Sequence, residues 1–196
     1  MENSAIKIIS GEIPVLFSAP HCKLHRRPKL SMAYKQSEPI TDRIVKELCL
    51  RTNGFGIYLN SRVEYDPNYH KERRNEYKRK VREIIKENKI KCFVDIHGIL
   101  DNYGYDLAIY YPSRYSNSMD IAKAVSEEIG KKALRGINAQ ILKFPYDNGE
   151  PLSEFVASEL RVPAIQIEIA KYIRHDDRLL ISFIENLTDV ITKRFV

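Results

Sequence analysis

Cysteine is scarce in this sequence and badly placed for cross-linking. Cys22, Cys49 and Cys92 are widely spaced with no CxxC pair, which excludes a disulfide framework and a cysteine zinc site. No apolar run approaches the ~20 residues that a bilayer-spanning helix needs. No Pro/Gly/Ser-rich stretch and no internal repeat marks a boundary, so residues 1–196 are expected to form a single domain. The opening MENSAIKIIS lacks the basic leader and apolar stretch of a secretory signal. These absences give the expectation of a soluble, reduced, cytoplasmic protein with no membrane partner. The 43% hydrophobic and 30% charged content over 196 residues excludes disorder and low complexity. A chain of this size can bury on the order of 70% of its unfolded surface without staples.

A formal net charge of +6 raises the question of anionic partners, but the excess resides in one segment. Residues 71–91 hold ten Lys/Arg against four Glu, an excess equal to that of the whole chain. Within it Tyr77, Val81, Ile84 and Ile85 fall on one helical stripe, and the basic residues on the other faces alternate with glutamates at pairing distance. That is the pattern of a solvated amphipathic helix. The alternative is a non-catalytic nucleic-acid-binding protein using the basic helix 71–91; nucleic acid is the less favoured partner, because no KH loop, RRM aromatic pair or zinc knuckle accompanies it.

Strands are expected at 6–9, 14–18, 56–60, 92–96, 107–111, 139–144 and 164–169, and helices at 39–50, 72–88, 118–132 and 176–194. The first two strands, joined by Ser10-Gly11-Glu12-Ile13, are close enough to form a hairpin. Ser37 is placed as an N-cap, with Glu38 and Pro39 in the first turn behind it. The last helix buries Leu179, Leu180, Phe183, Ile184, Leu187 and Ile191. Alternating strands and helices imply a three-layer α/β/α sandwich around a central mixed, mostly parallel sheet.

Ligands of open α/β sheets bind beyond the carboxyl ends of the strands. His21 follows the strand PVLFSA, His97 follows CFVDI, and Glu168 lies near the end of AIQIEIA. A carboxylate in an apolar strand is either paired or functional. Two histidines and acids converging on one sheet edge point to a zinc site, since catalytic zinc takes three protein ligands and leaves one position for water. Asp95, two residues before His97, points to the same face and is placed to orient a ligating imidazole or an arginine, or to bond to backbone or solvent. His21 and His25 have HxxxH spacing, but Pro20 and Pro28 bracket them and no helical stripe runs through, so substrate contact or a loop hydrogen bond is the expectation for His25.

The ordered set SAPH (18–21), HRR (25–27), EPIT (38–41), DPN (66–68), DIHG (95–98) and IQIEI (165–169) resembles the N-formylglutamate amidohydrolase family. That family is related to the zinc carboxypeptidases and to phage poly-γ-glutamate hydrolase. The resemblance spans nearly the whole chain and implies a zinc-carboxypeptidase-like fold and zinc-dependent hydrolysis of an amide. By carry-over, His21 and His97 match the two histidine ligands and Glu168 the catalytic glutamate. The acidic ligand matches Glu38, seventeen residues after His21, through the likeness of EPIT to the stretch following the ligand glutamate of the poly-γ-glutamate hydrolase, with an inserted loop between; a helix-capping role explains Glu38 equally simply.

An acyl-glutamate or peptide terminus carries carboxylates that arginine forks bind well. Arg62 and Asn68 precede the second histidine, as the carboxylate-binding Asn and Arg of carboxypeptidases do, and Arg174 is a further candidate. Tyr and Arg residues between Tyr103 and Arg114 are placed to line a cleft. The function expected is hydrolysis of a small N-acyl acidic amino acid, or of a related γ-glutamyl or C-terminal amide, with zinc as cofactor.

Overall fold

The structure, a computed structural model, describes residues 4–27, 34–112, 116–144 and 151–196. Nine strands appear in chain order: β1 (Ile6–Ile9), β2 (Ile13–Ala19), β3 (His25–Arg26), β4 (Tyr34–Lys35), β5 (Gly54–Leu59), β6 (Cys92–Ile99), β7 (Leu107–Tyr111), β8 (Ala139–Lys143) and β9 (Ala164–Ala170). The helices are α1 (Thr41–Thr52), α2 (Glu76–Glu87), α3 (Ser116–Ile129), α4 (Leu152–Glu159), α5 (Lys171–His175) and α6 (Asp177–Phe195). Seven strands form one sheet in the order β1-β5-β2-β6-β9-β7-β8. Pairing is parallel from β5 through β2 and β6 to β9 and between β7 and β8; β1–β5 and β9–β7 are antiparallel. The mixed, mostly parallel sheet is the one the element pattern implies. Its central strands β2 and β6 are buried along most of their length, which explains their near-continuous apolar runs.

Register separates the two faces. Phe17 pairs with Gly56, and a Cβ on Gly56 would meet Cys49 and Val45 of α1, so that face carries α1, with α6 and α3 packed alongside. Ser18 pairs with Ile57 on the opposite face, where Tyr77 of α2 shares a hydrogen bond with the Ser18 hydroxyl at 3.0 Å and donates to the Ile57 carbonyl at 2.8 Å. α4 packs on β6 and β9, and its Phe155 lies under the Lys78 ammonium of α2.

Three expectations are corrected. β1 and β2 do not form a hairpin, because β5 lies between them. The connection crosses the α1–β5 turn too closely to reverse: Glu12 and Ile13 donate their N–H groups to Asn53 O, and a Cβ on Gly11 would lie 2.5 Å from that oxygen. Ser37 is not the cap of α1; the cap is Ile40, in a left-handed conformation at φ 76° and without a side-chain bond. The basic helix starts later than expected, since Glu72–Arg74 forms a 3-10 turn and the Asn75 side chain then caps α2 by accepting the Lys78 N–H at 3.1 Å. α4, α5 and the small β3–β4 hairpin carried no signal long enough to read. Among the described residues no helix is long and apolar enough to cross a membrane, and all three cysteines are buried and free.

Candidate metal centre

One row of polar side chains stands on the α2/α4 face. Asp95 pairs in register with Gln166, and His97 with Glu168, across β6 and β9. On β7, Ala108 lies opposite Glu168 and Tyr110 opposite Gln166. Because strand residues alternate between faces, Asp95, His97, Gln166, Glu168 and Tyr110 share one surface. β2 stops at Ala19, and the turn that follows sets His21 edge-on to His97 with ring centroids 4.8 Å apart. Glu38 arrives from outside the sheet. The β3–β4 hairpin occupies part of the seventeen-residue separation, with Lys35 paired to His25, and Glu38 N–H then donates to His21 O at 2.8 Å.

The three side chains converge. Glu38 Oε1 lies 3.1 Å from His21 Nδ1 and Oε2 lies 3.0 Å from His97 Nδ1, while Gly98 N–H donates to Oε2 at 3.1 Å. Each imidazole has its other nitrogen on a separate carboxylate: His21 Nε2 on Asp66 Oδ1 at 2.8 Å and His97 Nε2 on Asp95 Oδ2 at 3.0 Å. A proton on each Nε2, donated to its carboxylate, leaves the Nδ1 lone pairs facing the centre, the usual arrangement of metal-ligating histidines. His21, Glu38 and His97 offer ligand atoms within 4.8 Å of one another. Tetrahedral ligands about 2.0–2.1 Å from zinc sit roughly 3.3 Å apart, close to the two nitrogen–oxygen separations here. The donor set therefore fits zinc.

Charge agrees with geometry. Glu38, Asp66 and Asp95 are all buried, and with neutral imidazoles the cluster is net negative, the condition that favours a dication. Burial opposes the charged forms of His21 and His97, but Glu38 with Asp66 and Asp95 with Glu38 outweigh it and raise both pKa values. Burial likewise opposes the Glu38 carboxylate, yet His97 and His21 hold its pKa well below the ordinary range. Asp66 is held low by His21, His25 and Arg27, whose Nε donates to Oδ2 at 2.9 Å.

Glu168 faces two cavities that meet at Ile99, Tyr103 and Glu168 itself. The larger, about 560 Å³, also has Glu38, Lys35, Lys171 and Arg174 on its walls; the smaller, about 280 Å³, is mainly aromatic. Gln166 Nε2 donates to Glu168 Oε1 at 2.8 Å. Burial raises the Glu168 pKa, His97 opposes the rise and Glu38 adds to it. A carboxyl of this kind can hold and release a proton closer to neutrality than an exposed one.

The remaining candidates lie at varying distance from this centre. Arg174 is 3% exposed on the cavity wall, but its guanidinium donates to three backbone oxygens, those of Ile169, Pro39 and Ile99. It is a strut between β9, β6 and the Glu38 loop. Asn68 stands behind His97, its Nδ2 3.2 Å from Nε2 and its Oδ1 accepting the Leu152 N–H. Arg62 is exposed, stacks on the Tyr34 ring and lines neither cavity. His25 stacks on His21 at 3.9 Å, and its Nδ1 bonds to Lys23 O; burial and His21 push its pKa down to about 4. Its Nε2, with His21 and Asp66, forms a second possible ligand group, but Arg27 already occupies Asp66 there. Arg114 and Pro28 lie outside the described residues. On the basic segment Arg82 grips Glu72, Lys80 pairs with Glu83, and Lys78 is buried.

Sequence reasoning missed Asp66, Gln166 and the two lysines. Asp66 was within reach as the acid of DPN; Asn75 fixes that loop by donating to Pro67 O and His70 O. Gln166 could have been found as the polar residue two before Glu168 on the same face.

The sheet order and its layers define a zinc-carboxypeptidase-like α/β/α fold. No family model matches the sequence, and no curated protein is a significant match. Solved structures share the fold over nearly its whole length. N-formylglutamate amidohydrolase from Ralstonia eutropha JMP134 superposes with a TM-score of 0.69 at 11% identity, covering 96% of each chain. Bacteriophage poly-γ-glutamate hydrolase gives 0.60 at 14%, covering 98% of this chain and 91% of its own. A gene product of Agrobacterium tumefaciens gives 0.72 at 14%, covering 98% and 95%. These likenesses establish the fold.

Proposed function

We propose that this chain is a zinc-dependent hydrolase of amide bonds, acting on a small N-acyl acidic amino acid or a related γ-glutamyl or C-terminal amide. The observation that carries the reading is the convergence of His21 Nδ1 and His97 Nδ1 on Glu38, with each imidazole backed by its own buried carboxylate and with Glu38 on the wall of the cavity that Glu168 also faces. The names of two fold relatives, an N-formylglutamate amidohydrolase and a poly-γ-glutamate hydrolase, point the same way.

His21, His97 and Glu38 would hold the zinc, and Asp66 and Asp95 fix the two imidazoles through their Nε2 atoms. Bound zinc supplies Lewis-acid polarisation of the amide carbonyl and lowers the pKa of water. Gln166 engages Glu168 Oε1, leaving Oε2 to take the proton of the attacking water and pass it to the departing nitrogen. Lys35 and Lys171 give the larger cavity a positive wall for a substrate carboxylate. Arg174 holds the Glu38 loop against the sheet.

Purified protein should carry about one zinc per chain, the single-ion stoichiometry of such sites, and His21→Ala or His97→Ala should lose it. Glu168→Gln should keep zinc and melting temperature while turnover falls by about 10²–10⁴, the usual contribution of a positioned base. Full zinc in both histidine variants, or wild-type turnover by zinc-loaded Glu168→Gln, would refute the assignment.

A further inference from the structure

The smaller cavity beside Glu168 is too large and too aromatic for a formyl group. Its walls are Tyr103, Tyr105, Tyr110, Phe144, Ile99 and Pro151, with Gln166 and Glu168 as the polar members. The rings are organised: Tyr110 and Phe144 stack at 5.3 Å and 27°, and Tyr103 lies 5.7 Å from Tyr105. The Tyr105 and Tyr110 hydroxyls bond to each other at 3.2 Å, and Gln166 Nε2 is taken by Glu168. Gln166 Oε1 has no partner and remains as a polar contact in this arm, while the stacked ring faces offer the surfaces that a flat apolar group asks for. A cavity of about 150 Å³ holds a benzene, so a volume of about 280 Å³ admits a substituted ring. The other arm of the cleft carries Lys35 and Lys171 and suits the carboxylates. Glu168 lies where the arms meet.

We infer that the aromatic arm is the acyl subsite and that the substrate class is an N-aroyl or N-arylacyl acidic amino acid. This rests on the amide-hydrolase reading above. Water oxygen adds to the acyl carbon, the C–N bond breaks, the nitrogen takes a proton, and an aromatic carboxylate and the free amino acid depart. Placing the ring among Tyr103, Tyr110 and Phe144 sets its carbonyl next to Glu168, so ring burial contributes to every stage that needs the amide in place.

The test is a panel of N-formyl-, N-acetyl- and N-benzoyl-L-glutamate with zinc-loaded protein. N-benzoyl-L-glutamate should be turned over with a kcat/KM at least about tenfold above the other two, the scale on which an apolar subsite discriminates. Phe144→Ala, at a half-buried position, should erase that advantage, bringing kcat/KM for N-benzoyl-L-glutamate down to the N-acetyl-L-glutamate value of the same variant. Calorimetry on Glu168→Gln reads the same preference without turnover, as tighter binding of the benzoyl compound than of the acetyl one. Hydrolysis of all three at similar efficiency, or an advantage that survives Phe144→Ala, overturns the ring subsite and leaves the hydrolase reading standing. Failure to hydrolyse any of the three, with equal calorimetric affinity for benzoyl and acetyl compounds, overturns the ring subsite together with the N-acyl amino acid as the substrate of this site.

Discussion

Replacing Gly98 by alanine tests how the centre is held together, because the fold has no room for the added methyl. A Cβ at Gly98 would lie 2.5 Å from Arg174 Cζ, 2.7 Å from Nη2 and 2.8 Å from Nε. Carbon contacts are normally about 3.5–4.0 Å, so the guanidinium must retreat by roughly an ångström. It is not a free side-chain tip: Nε donates to Ile169 O at 3.1 Å, Nη1 to Pro39 O at 2.6 Å and Nη2 to Ile99 O at 3.2 Å. Overpacking costs about 1–3 kcal/mol, and one lost hydrogen bond to a charged group adds about 1.5–3 kcal/mol. Gly98→Ala should therefore destabilise by about 2.5–6 kcal/mol, which at roughly 2–4 °C per kcal/mol for a chain of this size lowers Tm by about 5–24 °C. Urea or thermal unfolding of wild type, Gly98→Ala, Arg174→Met and the double variant gives the coupling. In the Arg174→Met background a flexible thioether replaces the guanidinium, and the alanine should cost at least about 1 kcal/mol less. An equal cost in both backgrounds would refute the packing argument.

Asp66→Asn and Asp95→Asn should each weaken zinc binding by about 10–100-fold without removing a ligand, because an amide no longer fixes the imidazole with a charge; competition with a chelator measures it. The Asp66 carboxyl is held low in the folded state, so its stabilisation is present above about pH 4 and fades as the pH falls further; Asp66→Asn should cost stability at neutral pH and progressively less as the pH drops below about 4. Lys171→Ala should raise KM for an acidic substrate, whereas Arg62→Ala, changing a residue stacked on Tyr34 away from both cavities, should leave it within about twofold, the usual mildness of surface substitutions. Burial pushes the Cys22, Cys49 and Cys92 thiols up to about 12, so native protein at pH 8 should resist alkylation and take three labels once unfolded. Rapid labelling of the native chain would contradict the buried positions.

The sheet was legible because its strands announce themselves by composition. CFVDIHGI and AIQIEIA are apolar runs broken by acids, an amide and a histidine at alternate positions, and that alternation is what puts Asp95, His97, Gln166 and Glu168 on one surface. The strand order was not legible, since β5 reaches its place between β1 and β2 through long-range pairing that no local pattern encodes. Glu38 was legible only as one of two alternatives. A carboxylate just before a helix reads as a dipole partner, and only the tertiary structure shows that it precedes the first turn and turns both oxygens to histidines. Arg174 illustrates the opposite limit: an arginine near the end of a strand reads as a substrate fork, but three backbone carbonyls that need donors claim it first.

The two histidines and the carboxylate reach the centre by different physical routes. Strand β6 carries His97 directly, and the turn that ends the adjacent parallel strand β2 brings His21 beside it. The third ligand cannot come from the same strands, because their next residues on that face are already Ser18 and Asp95. It comes from a loop, and a loop must be fastened. Glu38 is pinned through its N–H to His21 O, its carbonyl to the Thr41 hydroxyl at 2.7 Å, its carboxylate to Gly98 N–H, and its neighbour Pro39 to Arg174. The chain then has one residue in which to turn from this loop into α1, and Ile40 does so in the left-handed region. For a β-branched residue that conformation costs about 1–3 kcal/mol. The four anchoring interactions offset the strain, so the carboxylate is held in place before any ligand arrives.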